Sequence, residues 1–131
     1  MKPLQMYEAF QAIMKRFNEQ NLDLISERIQ TAEEDTLIQN QIDKKFENLL
    51  KRKYLYTINF AAKNADLEMA PFIVISEAFG ANKPFLDTVY NSLSVKVKDS
   101  KYGKALKDLI ASREEKSEEE NVEVETLNED L

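Results

Sequence analysis

The sequence predicts an all-α fold, with a long antiparallel helix hairpin, about three short helices packed on it and a disordered acidic C-terminal tail. Three observations support this prediction. The 131 residues include only two glycines and three prolines, although β-hairpins depend on glycine for backbone conformations with positive φ. Apolar residues recur every three or four positions along two long stretches, as on one face of a helix. Acidic residues are concentrated at the end of the chain.

The first predicted helix covers residues 4–32. Pro3 precedes it, at a position where the start of a helix tolerates proline. Polar residues weaken the apolar pattern near residues 18–21, so a local irregularity is expected there. The inward face is expected to consist of Leu4, Tyr7, Phe10, Ile13, Met14, Phe17, Leu24, Ile25 and Ile29.

The second predicted helix covers residues 35–63. The stretch TAEEDT precedes it, and Thr31, Asp35 and Thr36 are each able to cap its first turn. Because the connection between the two long helices is short, they are expected to pack antiparallel as a hairpin. The inward face of the second helix is expected to consist of Leu37, Ile38, Ile42, Phe46, Leu49, Leu50, either Leu55 or Tyr54, Ile58, Ala61 and Ala62.

Three shorter helices are predicted after the hairpin. In APFIVISEAFG, Pro71 suits a helix start and Gly80 a helix end. Its β-branched residues would also suit a buried strand, but no partner strand is evident, so a short buried helix is favoured. NKPFLDTVYNSL predicts the next helix and SKYGKALKDLIASREEK the last, with Ser100 as its N-cap. SVKVKDS, between these two, is predicted to be a connector.

The charge distribution divides the chain into a helical domain, residues 1–113, and an acidic tail, residues 114–131. The tail has nine acidic residues against one basic residue, Lys116, which is a balance of −8, whereas the net charge of the chain is −6. The rest of the chain is therefore nearly neutral. With few large apolar residues, the tail cannot bury enough surface to offset the entropy lost on ordering, and we expect it to be disordered.

The composition excludes several kinds of chemistry. The chain has no Cys, His or Trp, which removes thiolate nucleophiles, disulfides, histidine bases and the Glu-x-x-His pairs of di-metal bundles. The carboxylates of Glu33, Glu34 and Asp35 are interpreted as a turn and the solvated start of a helix. We therefore expect no catalytic, cofactor-binding or metal-binding residues, no cofactor and no enzymatic activity.

The sequence YGK within DSKYGKALKDLI invites comparison with a phosphate-binding loop. Such a loop requires the pattern GxxxxGK[ST], in which the final hydroxyl binds Mg²⁺. Here Gly103 and Lys104 are followed by Ala105, and no glycine-rich segment precedes them. The stretch is instead interpreted as the first turn of a helix, with Lys104 in solvent.

Basic side chains cluster in the second predicted helix, at Lys44, Lys45, Lys51, Arg52 and Lys53. A nucleic-acid-binding domain would carry a clear excess of positive charge, whereas the body of this chain is nearly neutral. No nucleic-acid partner is expected. The chain also has no run of about 18 apolar residues, so membrane insertion is not expected, and residues 1–20 lack the apolar core of a signal peptide.

One apolar stripe is a candidate interaction face. Tyr7, Phe10, Met14 and Phe17 follow helical spacing on the first predicted helix. A stripe of this kind is usually part of a core, but it would serve as a docking face if a neighbouring domain or a protein partner covered it. The oligomeric state stays open at this point.

Residues 56–110 contain two motifs, an aromatic-x-x-x-Phe segment and a later segment ending in Ser-x-Tyr-Gly-Lys-x-Leu. Their characteristic positions are Tyr56, Phe60, Ala61 and Asn64, then Val89, Tyr90, Leu93, Ser94, Val97, Lys98, Ser100, Tyr102, Gly103, Lys104 and Leu106. This combination resembles the helical region of a family of thioredoxin-like thiol–disulfide interchange proteins of Gram-negative cell envelopes.

The resemblance implies a function for the helical region only. Such proteins typically carry an export signal, a small β-rich domain of unknown function and a thioredoxin-like domain with CxxC, and this chain contains no cysteine. The implied role is that of a non-enzymatic helical module that spaces or docks neighbouring domains or partners in the cell envelope or periplasm. The alternative is a cytoplasmic helical adaptor that forms a coiled-coil dimer.

Overall fold

The computed structural model describes residues 2–114. Within them the chain forms six helices and no strand, which confirms the all-α prediction. The predicted disorder of the tail concerns residues that, from position 115 onward, lie outside the described part. The helices are α1 (Pro3–Gln30), α2 (Thr36–Lys63), α3 (Met69–Glu77), α4 (Lys83–Ser92), α5 (Val95–Lys98) and α6 (residues 101–114).

The chain divides into two compact units, Met1–Phe60 and Ala61–Leu131. Unit 1 contains α1 and most of α2, and unit 2 contains α3 to α6. The boundary falls in the last turn of α2, because this helix ends at Lys63. The prediction of one helical domain over residues 1–113 stays a prediction.

Unit 1 is the predicted antiparallel hairpin. Near its open end, the ring centroid of Phe10 on α1 lies 5.0 Å from that of Phe60 on α2. Near the connecting turn, Arg28 on α1 forms an ion pair with Asp43 on α2. α1 is continuous through residues 18–21, so the expected irregularity there is wrong. Polar residues interrupt an apolar pattern without interrupting the helical backbone, which here contains neither glycine nor an internal proline.

Side chains form hydrogen bonds to the backbone at both ends of the turn between the two long helices. The hydroxyl of Thr31 donates to the carbonyl of Glu27 at 2.8 Å at the end of α1. The carboxylate of Asp35 accepts the amide N–H of Ile38 at 3.5 Å and thereby caps α2. Of the three residues predicted as possible caps, Asp35 is the one that takes this position.

Unit 2 confirms the helical interpretation of the segment after the hairpin. Met69–Glu77 is a helix with Pro71 in its first turn, and in its β-branched run Ile73 and Val74 are buried and Ile75 is half-buried. A short helix that is apolar on all sides has to be buried. The buried residues of helices α3 to α6 include Ala70, Ile73, Val74, Leu86, Val89, Val97, Leu106 and Leu109, and Leu93 is buried between α4 and α5.

The predicted connector SVKVKDS is wrong in part, because Val95–Lys98 forms the short helix α5. The hydroxyl of Ser94 accepts the amide N–H of Val97 at 3.3 Å, as an N-cap does. Val97 is buried, while Val95 lies in solvent. A single helical turn is too short to produce a recognisable apolar period, and the β-branched residues favoured an extended interpretation.

The junction between α5 and α6 is unusually close. Ser100 donates its hydroxyl hydrogen to the carbonyl of Val97 and accepts the amide N–H of Gly103 at 3.2 Å, which confirms its prediction as the cap of α6. Gly103 is buried, and a Cβ atom on it would lie 2.1 Å from the carbonyl oxygen of Val97. This position therefore requires glycine because of a close backbone approach.

A side chain at the end of α6 forms hydrogen bonds to the loop between α3 and α4. The guanidinium of Arg113 donates to the carbonyl of Ala81 at 3.1 Å and to the carbonyl of Phe79. It also lies over the ring of Phe79, 5.4 Å from the centroid. Both carbonyls belong to the loop that follows α3, which ends at Glu77. Arg113 thus links α6 to the segment that follows α3.

We expect Arg113→Met to lower the free energy of unfolding by about 1–2 kcal/mol, because methionine keeps much of the side-chain length but loses every donor. Urea denaturation followed by far-ultraviolet circular dichroism measures this loss. Lys107→Met, at an exposed position on the same helix, is the matched control and should stay within about 0.5 kcal/mol of the original chain. Equal stability of the two variants would contradict the role of Arg113.

Candidate interaction surface

The predicted interaction face on α1 is divided between core and surface. Phe10 and Met14 are buried, whereas Tyr7 and Phe17 are half-buried. Phe10 packs in an aromatic cluster whose other members on α2 are Tyr56 and Phe60. Phe10 and Met14 therefore stabilise the hairpin, and contact with a partner through Tyr7 and Phe17 stays a prediction.

Thr57 is a buried polar residue that the sequence interpretation missed. Its hydroxyl lies 2.8 Å from the carbonyl of Lys53 and 3.9 Å from the sulfur of Met14. A hydroxyl has one hydrogen to donate, and the shorter contact to the carbonyl is the better hydrogen bond. The methionine sulfur then packs against a hydroxyl whose polar requirement is met within α2.

The half of the hairpin near the turn differs from the aromatic half. No residue between positions 15 and 41 is buried, although this stretch contains several large aliphatic side chains. Leu22 is 62% exposed, Ile25 40% and Ile29 79%, and on α2 Leu50 is 47% exposed. These four residues form what we call the apolar flank. The prediction that Ile25 and Ile29 face inward is therefore wrong.

Helical geometry places the three α1 residues of the apolar flank in one row. Leu22, Ile25 and Ile29 are separated by three and four positions, so they follow one line along the helix. At about 100° per residue, this line lies roughly 110° around α1 from the row that faces α2, which contains Phe17 and Leu24. The row therefore follows the side of the hairpin.

The residues of α2 on the same side can be identified from the antiparallel pairing. A cleft near the turn is lined by Ile29 of α1 together with Thr36, Asn40 and Asp43 of α2. Leu50 follows Asp43 by seven positions, about two helical turns, and so lies on the same side of α2. Glu27 on α1 and Lys45 on α2 form an ion pair, so they lie at the same height along the hairpin. Leu22 and Leu50 are each five residues farther from the turn, so they also lie at the same height.

Two charged groups near the apolar flank, Arg28 and Asp43, neutralise each other. The guanidinium of Arg28 and the carboxylate of Asp43 are 2.6 Å apart, and both side chains are about half exposed, at 50% and 47%. An ion pair this exposed adds little to stability, at most about 1 kcal/mol. It does leave the surface beside the aliphatic row without net charge at this height.

The opposite side of the hairpin carries a groove of different character, which we call the basic groove. Its volume is about 710 Å³, with Leu24 and Leu49 among its lining residues. The charged residues that line it are one acid, Asp23, and three bases at the positions predicted as a basic cluster, Lys45, Lys51 and Arg52. The two sides of unit 1 thus differ in charge, because bases outnumber acids in the basic groove, whereas Arg28 and Asp43 on the other side form an ion pair.

Unit 2 offers smaller features. A shallow depression of about 250 Å³ is lined by Glu68, Met69, Phe72 and Tyr102, and the rings of Phe72 and Tyr102 meet edge to face. On α4, the ammonium of Lys83 lies 2.8 Å from Asp87 and 3.1 Å from Glu114. The hydrogen bond to Asp87, followed by that to Glu114, raises the pKa of Lys83. The ion pair with Glu114 joins α4 to α6, whereas the pair with Asp87 lies within α4.

The described residues provide no arrangement for metal chemistry or for crossing a membrane. Within residues 2–114, no three acidic side chains come together as ligands for a metal ion. None of the helices in this part of the chain combines the length and the apolar character that a membrane span requires. Glu33, Glu34 and Asp35 occupy the turn between α1 and α2, where Asp35 acts as the cap.

Comparison with known proteins adds no relative. Neither a protein-family model, nor a curated protein, nor a solved structure matches this chain. The resemblance to envelope thioredoxin-like proteins therefore depends on the motif residues alone and stays a prediction.

Proposed function

We propose that this chain is a non-enzymatic helical docking module, and that its docking surface is the apolar flank of unit 1. The observation behind this proposal is the row of Leu22, Ile25 and Ile29 on α1, with Leu50 beside it on α2. The hairpin leaves these four side chains largely in solvent. Scattered single aliphatic residues on a surface are ordinary, but a continuous row is typical of a surface that another protein covers.

The hairpin is a suitable frame for such a surface. Each of its helices has 28 residues and is therefore about 42 Å long. The aromatic cluster around Phe10 fixes the two helices at one end, and the aliphatic row lies toward the other end. A partner that binds along paired helices meets a preformed surface, so little conformational entropy is lost on binding.

The proposed setting is the cell envelope, in a protein related to the helical region of thioredoxin-like proteins. The motif behind this resemblance includes Ser94, Val97, Ser100 and Gly103, which build the α5–α6 junction. These residues have structural roles, so the pattern is compatible with a module that has no redox site. The alternative is a helical adaptor in the cytoplasm, and the length of the hairpin is as compatible with this alternative as with the cell envelope.

Site-specific photo-cross-linking in the cells that produce the protein tests the docking surface. With a benzoylphenylalanine at position 29, we expect cross-links to a protein that mass spectrometry identifies, because Ile29 is the most exposed residue of the apolar flank. The same probe at position 48, in the basic groove on the opposite side, is the matched control. Absence of cross-links from position 29, or equal cross-links from both positions, would overturn the proposal.

A further inference from the structure

We propose that the apolar flank binds the same flank of a second copy of this chain, so that two hairpins form a parallel four-helix dimer. This inference rests on the proposed function, because it names the partner of the same surface. The flank is defined by Leu22, Ile25 and Ile29 on α1 and by Leu50 on α2. Two copies joined by a twofold axis use one patch twice, so the patch has to complement itself.

A twofold axis parallel to the hairpin meets this condition for the apolar residues. It places α1 of one copy against α2 of the other and keeps every residue at its own height along the hairpin. Leu22 then faces Leu50 of the second copy, because the two residues lie at the same height. Ile25 faces the segment of Phe46, which is half-buried in its own hairpin, and of Glu47, which is exposed. Apolar contacts are therefore expected between Leu22 and Leu50 and between Ile25 and Phe46, with the carboxylate of Glu47 beside the second contact.

The same axis also complements the charges. Arg28 and Asp43 lie at one height and are 2.6 Å apart within a copy. In the dimer, Arg28 of each copy faces Asp43 of the other, so four charges of alternating sign form a square. Opposite charges then adjoin on every side, and like charges lie across the diagonal. Such alternation favours this pairing and disfavours others.

Other ways of pairing two copies are less complementary. An axis perpendicular to the hairpin, at the height of Ile25, would bring α2 against α2 and place Glu47 near Glu47 of the second copy. Like charges in direct opposition are unfavourable in an interface. Pairing through the basic groove would enclose Lys51, Arg52 and Asp23 together with the ion pair of Lys45 and Glu27, and bases would still outnumber acids. The buried centre of an interface is usually depleted of charged residues.

Light scattering coupled to size-exclusion chromatography tests the association with the full chain. Over a range of about 1 μM to 1 mM we expect the mass to rise from 15.2 kDa toward twice that value. The double variant Leu22→Gln with Ile25→Gln should weaken association by roughly tenfold or more, since it removes apolar contacts at the centre of the interface. A mass that stays at the monomer value throughout overturns the inference.

A matched control uses two leucines that the hairpin exposes elsewhere. Leu37 and Leu55 are 70% and 47% exposed and lie 18 positions apart, which is five full turns, on the outer face of α2. The double variant Leu37→Gln with Leu55→Gln should associate as the original chain does. Equal weakening by both double variants would show that general surface hydrophobicity drives the association, and would overturn the assigned interface.

A charge exchange tests the orientation of the two hairpins. The double variant Arg28→Glu with Asp43→Arg restores the ion pair within each copy and the alternating square within its own dimer. A mixed dimer with the original chain would instead place like charges against each other. We expect each protein to associate with itself, and the mixed pair to be roughly tenfold weaker. Mixed dimers as strong as the two pure ones contradict the parallel arrangement.

Disulfide trapping tests independently whether residues 22 and 50 of two copies lie close together, because the chain has no cysteine of its own. A mixture of the single variants Leu22→Cys and Leu50→Cys, one of them tagged, should form a disulfide between the two species under mild oxidation. The control is a mixture of Asp23→Cys and Asn48→Cys, two positions at a matching height but on the opposite side of the hairpin. This mixture should not form a disulfide. The reverse result would overturn the interface.

The outcomes separate this inference from the proposed function. A chain that stays monomeric while position 29 cross-links to a different protein overturns self-association and supports docking. A chain that stays monomeric and gives no cross-link from position 29 overturns both. Cross-links between two copies, together with a mass that rises with concentration, support both.

Discussion

Phe10→Ala is expected to lower the free energy of unfolding by about 3–5 kcal/mol, the largest effect of any single substitution considered for unit 1. Phe10 is only 1% exposed, and its ring centroid lies 5.0 Å from that of Phe60 and 6.1 Å from that of Tyr56. Truncation removes these contacts and leaves a cavity between two helices, which the remaining large rings cannot fill without moving.

The effect of Phe10→Ala should be local to the aromatic half of the hairpin. Urea denaturation followed by far-ultraviolet circular dichroism gives the loss of stability, and amide hydrogen exchange gives its location. We expect faster exchange in α1 around residue 10 and in α2 around residue 56. Leu4→Ala, which truncates a residue of the same helix that is 68% exposed, is the control and should change stability by less than about 0.5 kcal/mol. A similar loss in both variants would contradict the core role of Phe10.

The positions of the helices follow from local signals in the sequence. Pro3, Pro71 and Pro84 lie in the first turns of α1, α3 and α4, where proline is compatible with a helix. Asp35 and Ser100 cap α2 and α6 through their side chains. These signals depend only on neighbouring residues, so they can be interpreted without knowledge of the tertiary structure.

Which side of a long helix faces inward is less predictable. α1 carries two apolar rows near the turn, one through Leu24 and one through Ile25 and Ile29, and their spacing is equally helical. The sequence interpretation merged the two rows into a single inward face. Only the pairing with α2 decides that Leu24 is half-buried and that Ile29 lies in solvent. The same ambiguity on α2 placed Leu37 and Leu55 on the inward face, although both are exposed.

The candidate surface was missed for the same reason. A row of aliphatic residues on a helix predicts burial, and the sequence gives no means of telling whether the covering group belongs to the same chain or to another. The stripe selected from the sequence was instead the more aromatic one, and two of its members, Phe10 and Met14, are buried in the hairpin. A signal was nevertheless present, because Leu22, which the predicted inward face left out, lies three positions before Ile25 and seven before Ile29.

Gly103→Ala is expected to lower the free energy of unfolding by about 2 kcal/mol or more, although alanine normally stabilises a helix relative to glycine by up to about 1 kcal/mol. The sign of the effect therefore separates two interpretations. If Gly103 were only the first turn of a helix, the substitution would be neutral or stabilising. In the structure, the new Cβ would lie 2.1 Å from the carbonyl oxygen of Val97, and 2.7 Å and 2.8 Å from backbone atoms of Lys98.

The clash at Gly103 cannot be relieved by a side-chain rotation, because the three nearest atoms belong to the backbone of α5. Moving α5 away would also stretch the hydrogen bonds that Ser100 makes to Val97 and to the amide of Gly103. Chemical denaturation measures the loss, and Lys104→Ala, at the exposed next position, is the control that changes helix propensity without the clash. A Gly103→Ala protein more stable than the original chain would refute the close junction. The glycine that first suggested a phosphate loop is thus expected to act through the packing of two helices.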